Sequence, residues 1–197
     1  MQITTTLNRI KRFEDCEPVV HALQARLGKH YSGDEPIPFS TILDICGLAY
    51  AILCCRAEPQ HYKVWYYYAV DCLNTVRHLM GSRSYDVLDA ARCDYLGLAT
   101  KLPKGNLKNR AFGAAHSAYL TALCKRMGQV SDDELNKACA QELVAVGVLA
   151  LTQNKIDVAV EAVIEVAEPE KLKAIIKHFR RVVDAGWVPL ILQNDAD

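Results

Sequence analysis

The sequence predicts an all-α protein, a multi-helix bundle or irregular helical array of about eight to nine helices. Three observations support this fold class. Apolar residues recur every three or four positions along most of the 197 residues, which is the spacing of one helix face. Serine, asparagine, glycine and proline stand between these segments, where helices start and stop. No segment alternates apolar and polar residues beside a two-residue turn, so hairpins are not expected.

The first half of the chain predicts five helices joined by short connections. Apolar residues at helical spacing define each segment, and small or turn-forming residues mark its ends. A loop is predicted at 29–38, which is rich in Gly, Pro, Ser and Asp. The predicted helices are 17–28, a short helix from a Ser40 cap to Gly47, 48–56, 60–80, and 85–96 behind a Ser84 cap.

The second half predicts four further helices after a second loop at 98–109. The first of them has an alanine-rich inner face, which allows neighbouring helices to approach closely. Ser131 begins a Ser-x-x-Glu capping box, and Pro169 stands where a first helical turn tolerates proline. We expect residues 1–197 to form a single helical domain. The predicted helices are Asn109 to Gly128, Ser131 toward Leu151, 154–167 and 169–185.

Composition limits the class of protein. The chain has 23 Lys and Arg against 23 Asp and Glu, so its neutrality argues against a general nucleic-acid coat. Its 51% hydrophobic content excludes a disordered chain. No signal peptide and no apolar run of about 18 residues are visible, which predicts a protein of the cytoplasm. The eight cysteines are expected to be reduced thiols, most of them in apolar helical sequence where Cys is commonly buried.

Catalytic motifs are missing from the sequence. There is no phosphate-binding glycine loop, no His-Glu-x-x-His, no Gly-x-Ser-x-Gly and no Cys-x-x-Cys. We therefore expect no enzyme activity, no metal and no cofactor. One alternative stays open, a nucleophilic Cys–His pair assembled from Cys72 and His78 or from Cys124 and His116.

Two groups of cations stand out against the neutral background. Residues 95–131 contain six Lys or Arg and no Asp or Glu, and the last predicted helix has a second group. Such faces bind an acidic protein surface or phosphates, although direct nucleic-acid binding is disfavoured for a neutral domain. The cations that we assign to partner binding are Lys101, Lys104, Lys108 and Arg110 in the first group, and Lys173, Lys177 and Arg181 in the second.

An aromatic run contributes the other candidate partner-binding residues. Five of the seven residues at 62–68 are Tyr or Trp, which is more than one helix face can bury. Tyr and Trp are common anchors of protein interfaces. We expect Trp65 or a neighbouring tyrosine, Tyr66 first, to anchor a partner, with packing of the run in the core as the alternative.

Several short segments, which together cover about half of the chain, carry a resemblance to known sequences. They are Asp34-Glu35-Pro36-Ile37-Pro38-Phe39, 55–59, 69–70, 76–80, 88–91, 97–100, and 181–186 with Pro189. In these segments the chain resembles a family of small phage- and prophage-encoded proteins. These relatives are alanine-rich helical proteins of uncharacterised role, and some similar sequences are labelled toxin-immunity proteins. The resemblance implies an origin in a phage or mobile element in a bacterial host and an all-α fold, and it supplies no catalytic residue.

These observations together favour a phage-borne protein that binds and inhibits another protein. The partner would be a host or competitor protein, and a nucleoprotein complex of a bacterial defence system, the target of anti-CRISPR proteins, is its most concrete form. The basic residues would steer association and the aromatic residues would anchor it. A toxin-neutralising immunity protein, a small enzyme with a Cys–His site, a nucleic-acid binder and a homodimer are the alternatives.

Overall fold

The computed structural model describes residues 2–28, 31–96, 104–128 and 130–185, with side chains omitted at 94–96 and 104–105. Within these residues the all-α prediction is confirmed. Two short strands, β1 (Thr4–Thr5) and β2 (Ile37–Pro38), form an antiparallel pair. The helices are α1 (Leu7–Ile10), α2 (Glu17–Leu27), α3 (Phe39–Cys46), α4 (Leu48–Leu53), α5 (Tyr62–Thr75), α6 (Ser82–Leu96), α7 (Lys104–Met127), α8 (Asp132–Thr152), α9 (Ile156–Val166) and α10 (Pro169–Ala185).

Several predicted helix ends are confirmed, and each has a local cause. Helices α2 and α3 end at Gly28 and Gly47, whose φ angles of 91° and 84° are costly for any residue with a Cβ. The Oγ of Ser131 accepts a hydrogen bond from the backbone nitrogen of Glu134, as in a capping box. Pro169 is the first residue of α10, where the missing N–H would have no partner.

Three predicted starts are wrong. Helix α3 begins at Phe39 and α6 at Ser82, so Ser40 and Ser84 lie in the first turn and neither is the cap. Helix α7 begins at Lys104, so the predicted loop at 98–109 is helical from 104 onward, and 98–103 lies outside the described residues. A first turn has no intrahelical partners for its N–H groups, so this end of α7 depends little on helix propensity and tolerates Gly105.

The described residues divide into two compact units. Residues 2–68 and 172–185 form the terminal unit, and 69–171 form the central unit. The boundaries fall inside α5 and α10, so the backbone passes between the units within continuous helices. The expectation of a single domain stays a prediction.

The terminal unit has an aromatic core. The ring of Trp65 lies 5.1 Å from Phe39 and 6.3 Å from Phe179, measured between ring centroids. The first residues of the chain close over this core, because the backbone nitrogen of Ile3 donates to the carbonyl of Val183 at 2.7 Å. The backbone nitrogen of Phe39 donates to the carbonyl of Ile3 at 3.2 Å. The N-terminal strand thereby joins α3 to α10.

The central unit is built of α6 to α9, with α7 packed on α6 and α8, and α8 packed on α9. The buried face of α7 carries small residues, among them Ala111, Ala115 and Ala122, as the alanine-rich pattern predicted. Side chains of Val144, Val148 and other β-branched residues fill the centre. The backbone of α7 therefore lies close to its neighbours, and apolar side chains on its opposite face, such as Phe112 and Met127, are exposed.

Helix α8 is, by length and composition, apolar enough to cross a membrane. About 39% of its apolar window is buried inside the structure, where it packs on α7 and α9. A core helix meets the same criteria, so this property does not assign α8 to a membrane.

Candidate interaction surface

One face of α7 exposes apolar side chains along most of the helix. Because successive helical residues are separated by about 100°, positions 112, 116, 119, 120, 123 and 127 share a stripe roughly 100° wide. Phe112 is 62% exposed and Met127 is 74% exposed, at opposite ends of this stripe. We call this set the α7 stripe; it comprises Phe112, His116, Tyr119, Leu120, Leu123 and Met127.

Two side chains of the α7 stripe contact each other along the helix. The rings of Phe112 and His116 are stacked, with an interplanar angle of 3° and 6.3 Å between centroids. Residues four apart on a helix are neighbours and interact in this way. The contact restricts the two rings at the Phe112 end of the stripe.

Helix α8 adds exposed apolar residues beside the α7 stripe. Arg126 donates to the carboxylate of Glu142 at 2.9 Å, and this pair marks where the two helices meet. Tyr119 lies seven residues before Arg126, and Val146 lies four residues after Glu142, so each shares a face with one partner of the ion pair. Val146 and Leu143 are both exposed. The exposed apolar surface thus extends across two helices of the central unit.

The cations of residues 95–131 are largely paired with acidic residues of neighbouring helices. Arg110 binds Asp86 of α6, Lys125 lies 3.6 Å from Glu134, and Arg126 binds Glu142. Arg110 is therefore paired with a carboxylate within the structure, and its assignment to partner binding stays a prediction. The pairing was not visible in the sequence of this segment, because the acidic partners stand on α6 and α8.

Among the cations of residues 95–131 whose side chains the structure describes, Lys108 differs from the paired ones. It is exposed and has no carboxylate within ion-pair distance among the described residues. It lies four residues before Phe112, at the edge of the α7 stripe. Of the other assigned cations, Lys101 lies outside the described residues, and Lys104 begins α7 with an undescribed side chain.

The basic residues assigned on the last helix belong to the terminal unit. Lys173, Lys177 and Arg181 follow one another at intervals of four on α10, and all are exposed. The neighbouring Arg180 binds Asp44 of α3 through both terminal nitrogens. This second group thus forms a row on one face of α10.

The aromatic run does not supply an exposed tryptophan. Trp65 is only 2% exposed, because it packs between Phe39 and Phe179 and donates its indole N–H to the carbonyl of Glu58 at 3.3 Å. The assignment of Trp65 as a partner anchor is therefore wrong. Tyr66 is half-buried and contacts Tyr62 and Tyr67. The aromatic residues at 62–68 cover more than one face of α5, as predicted from their number, and Trp65 and Tyr68 pack in the core.

The His116–Cys124 pair considered above is not assembled. The two residues lie eight positions apart on α7, which separates them by about 12 Å along the axis. Cys72 is buried and His78 lies in the short 3-10 turn Arg77–Leu79, and their pairing stays a hypothesis. Among the described residues, no group of three or more His, Cys, Asp or Glu side chains is placed to hold a metal ion.

A polar cleft of about 340 Å³ lies beside the buried face of α7. It is formed by the start of α6 with α7 and α8, and hydroxyls of Ser82, Ser84, Ser117 and Thr121 line it together with Gln141. Its described lining holds no carboxylate, cysteine or histidine. This lining does not combine a nucleophile with a base.

The chain matches no protein-family model, no curated protein and no solved structure. The resemblance to phage-encoded proteins therefore stays a prediction. The residues that sequence analysis missed are those of the α7 stripe. Their signal was present as the i, i+4, i+8 spacing of apolar residues, but the alanine-rich opposite face dominated the interpretation of this helix.

Proposed function

We propose that the protein acts by binding another protein through the α7 stripe and is not an enzyme. The observation that carries this proposal is the set of exposed apolar side chains Phe112, Tyr119, Leu120 and Met127 on a helix whose other face is packed. Contiguous exposed apolar patches of this kind mark interaction sites in globular proteins. Tyr119 and Phe112 supply aromatic anchors of the type that dominates binding energy.

Burial of the α7 stripe by a partner would contribute enough free energy to stabilise a complex. Burying a Phe, Leu or Met side chain completely contributes about 1.5–3 kcal/mol. Phe112, Leu120 and Met127 are each about half or more exposed, so a partner that covers them gains several such contributions. Losing one central anchor should weaken such a complex by tenfold or more.

The charge of α7 indicates the chemistry of the partner. The helix contains five Lys or Arg residues and no acidic residue, and Lys108 stands exposed beside Phe112. A complementary surface has an apolar groove that receives the α7 stripe and a carboxylate near its Lys108 end. An acidic residue there would gain an ion pair and faster association.

Inhibition of a bacterial defence complex is the biological role that we propose for this binding. It is supported by the resemblance to phage-encoded proteins, and it places the protein in the cytoplasm of a bacterial host. In the alternative, the protein is an immunity protein that binds a toxin through the same α7 stripe. A toxin gene beside this one would favour that alternative.

Affinity capture followed by titration tests the proposal. The full chain, Phe112→Ser and Tyr50→Ser are used to capture proteins from phage-infected cells, and each captured protein is then purified and titrated. Tyr50 is an exposed aromatic residue of the terminal unit, which makes it a matched control. We expect Phe112→Ser to weaken binding by about tenfold or more and Tyr50→Ser to leave it unchanged.

Other outcomes would contradict the proposal. Equal affinity of the wild type and Phe112→Ser would exclude the α7 stripe as the binding surface. Sedimentation that shows a wild-type dimer and a Phe112→Ser monomer would make the α7 stripe a contact between two copies.

A plating assay tests the proposed role as an inhibitor of a defence system. Expression of the wild type should raise phage plating on a host with an active defence system, and Phe112→Ser should abolish the effect.

A further inference from the structure

Three arginines converge on one cleft in the terminal unit. Arg9 stands in α1, Arg12 follows two residues after the end of α1, and Arg56 comes from the 3-10 turn Cys54–Ala57. The cleft has a volume of about 300 Å³, near the lower limit of small-molecule sites. Its other walls are Phe13, Ala57, Pro59 and Gln60. Neither segment alone predicts this cluster, because Arg56 is more than 40 residues from Arg9 and Arg12 in sequence.

A buried carboxylate holds part of this cluster in place. Glu58 is completely buried, and its Oε2 accepts a hydrogen bond from Nη1 of Arg9 at 2.6 Å and another from the amide of Gln60. Its Oε1 is buried without a hydrogen-bond partner among the described residues. A carboxylate in this environment strongly favours nearby positive charge. Glu58 therefore orients Arg9 and Gln60, two residues that line the cleft.

One of the three guanidinium groups at the cleft is left for a ligand. Arg9 pairs with Glu58, and Nη1 of Arg56 lies 2.6 Å from Oδ2 of Asp15. Arg12 is exposed and has no carboxylate within ion-pair distance among the described residues. Arg12 therefore presents a positive charge beside a concave surface.

We propose that this cleft binds a small phosphorylated molecule. Guanidinium groups match the oxygen geometry of phosphate through paired N–H donors, and Arg12 offers its whole donor fork. Arg9 donates to Glu58 through Nη1 and directs its remaining N–H groups from a fixed position. Phe13 and Pro59 supply an apolar wall for the organic part of the ligand. This proposal is independent of the α7 stripe, which lies in the central unit.

Calorimetric titration of the full chain at constant ionic strength tests the site. The probes are inorganic phosphate and adenosine monophosphate, and the variants are Arg12→Gln and Lys11→Gln. Lys11 is the exposed neighbouring cation that does not line the cleft, so it controls for a general loss of charge. We expect saturable binding with a Kd of about 1 mM or tighter, weakened about tenfold by Arg12→Gln and less than about twofold by Lys11→Gln.

Other results of the titration would contradict the phosphate site or the role of its apolar wall. Absence of saturable binding, or equal weakening by both variants, would overturn the cleft as a phosphate site. Equal affinities for phosphate and adenosine monophosphate would overturn the role given to Phe13 and Pro59. Phe112→Ser should bind phosphate like the wild type, so failure of the α7 proposal and failure of this one are distinguishable.

Discussion

Gly147 of α8 lies so close to Ala162 of α9 that a Cβ on Gly147 would stand 3.0 Å from the Cβ of Ala162. The same atom would lie 3.3 Å from the carbonyl oxygen of Ala159. Glycine in a helix interior costs about 1 kcal/mol relative to alanine. The close approach of two helices in the central unit explains why glycine stands in the middle of α8.

Gly147→Ala should therefore destabilise the protein although alanine favours a helix. Overpacking of a close helix contact costs about 1–3 kcal/mol, which exceeds the gain of about 1 kcal/mol in helix propensity. The measurement is the free energy of unfolding in urea. Gly113→Ala on α7 is the matched control, because its Cβ would lie 3.5 Å from Nη1 of Arg83, an ordinary contact, and it should be neutral or stabilising. A more stable Gly147→Ala would show that α8 and α9 can separate without loss.

Tyr68→Phe should destabilise the terminal unit by about 1 kcal/mol, the usual net value of one buried hydrogen bond. The Tyr68 hydroxyl donates to the carbonyl oxygen of Ile175 on α10 at 3.1 Å, and it is buried. Urea unfolding measures the loss. Tyr50→Phe removes an exposed hydroxyl and should change the unfolding free energy by less than about 0.5 kcal/mol. Similar losses for the two variants would mean that the Tyr68 hydroxyl contributes nothing specific.

The Asp44–Arg180 pair should make stability fall in acid. Hydrogen bonding from Arg180 lowers the pKa of Asp44 below its usual value. Because the folded-state pKa is lower than the unfolded-state pKa of about 4, the contribution is present above that pH and disappears as the pH falls through the folded-state pKa. Both side chains are about half exposed, so the coupling should stay below about 1 kcal/mol.

A double-mutant cycle at two pH values measures this coupling. The variants are Asp44→Asn, Arg180→Gln and their combination, unfolded in urea at about pH 6 and about pH 3. We expect a coupling energy at the higher pH that shrinks at the lower one. Coupling of the same size at both pH values would rule out ionisation of Asp44 as its cause.

Cys124 should react first with a thiol reagent such as DTNB near pH 8. It is exposed, whereas Cys16, Cys54, Cys55 and Cys72 are buried. A hydrogen bond with Cys16, together with burial, raises the pKa of Cys54, which disfavours the reactive thiolate. The fast phase should disappear in Cys124→Ser, and the buried thiols should react only after unfolding. A fast phase that persists in Cys124→Ser would show that another thiol is accessible.

Local patterns predicted much of the helical framework and little of the surface. A residue that ends or begins a helix interacts only with its near neighbours in sequence, so its role can be predicted from the sequence. Such residues here are Gly28, Gly47, Ser131 and Pro169. The predicted start at Asn109 failed because a first helical turn imposes few sequence requirements. Trp65 failed as an anchor because burial depends on residues far away in the chain, here Phe39 and Phe179.

The sequence by itself determined an all-α protein with glycine and proline helix ends and a neutral total charge, because helix spacing, capping and composition are local or additive properties. Only the tertiary structure decided which charges remain unpaired and which apolar faces remain uncovered. Packing of α7 on α6 and α8 brings Asp86 to Arg110 and Glu142 to Arg126, and it leaves Phe112 and Met127 in solvent. Pairing and burial arise between segments distant in sequence, so their pattern follows from the fold.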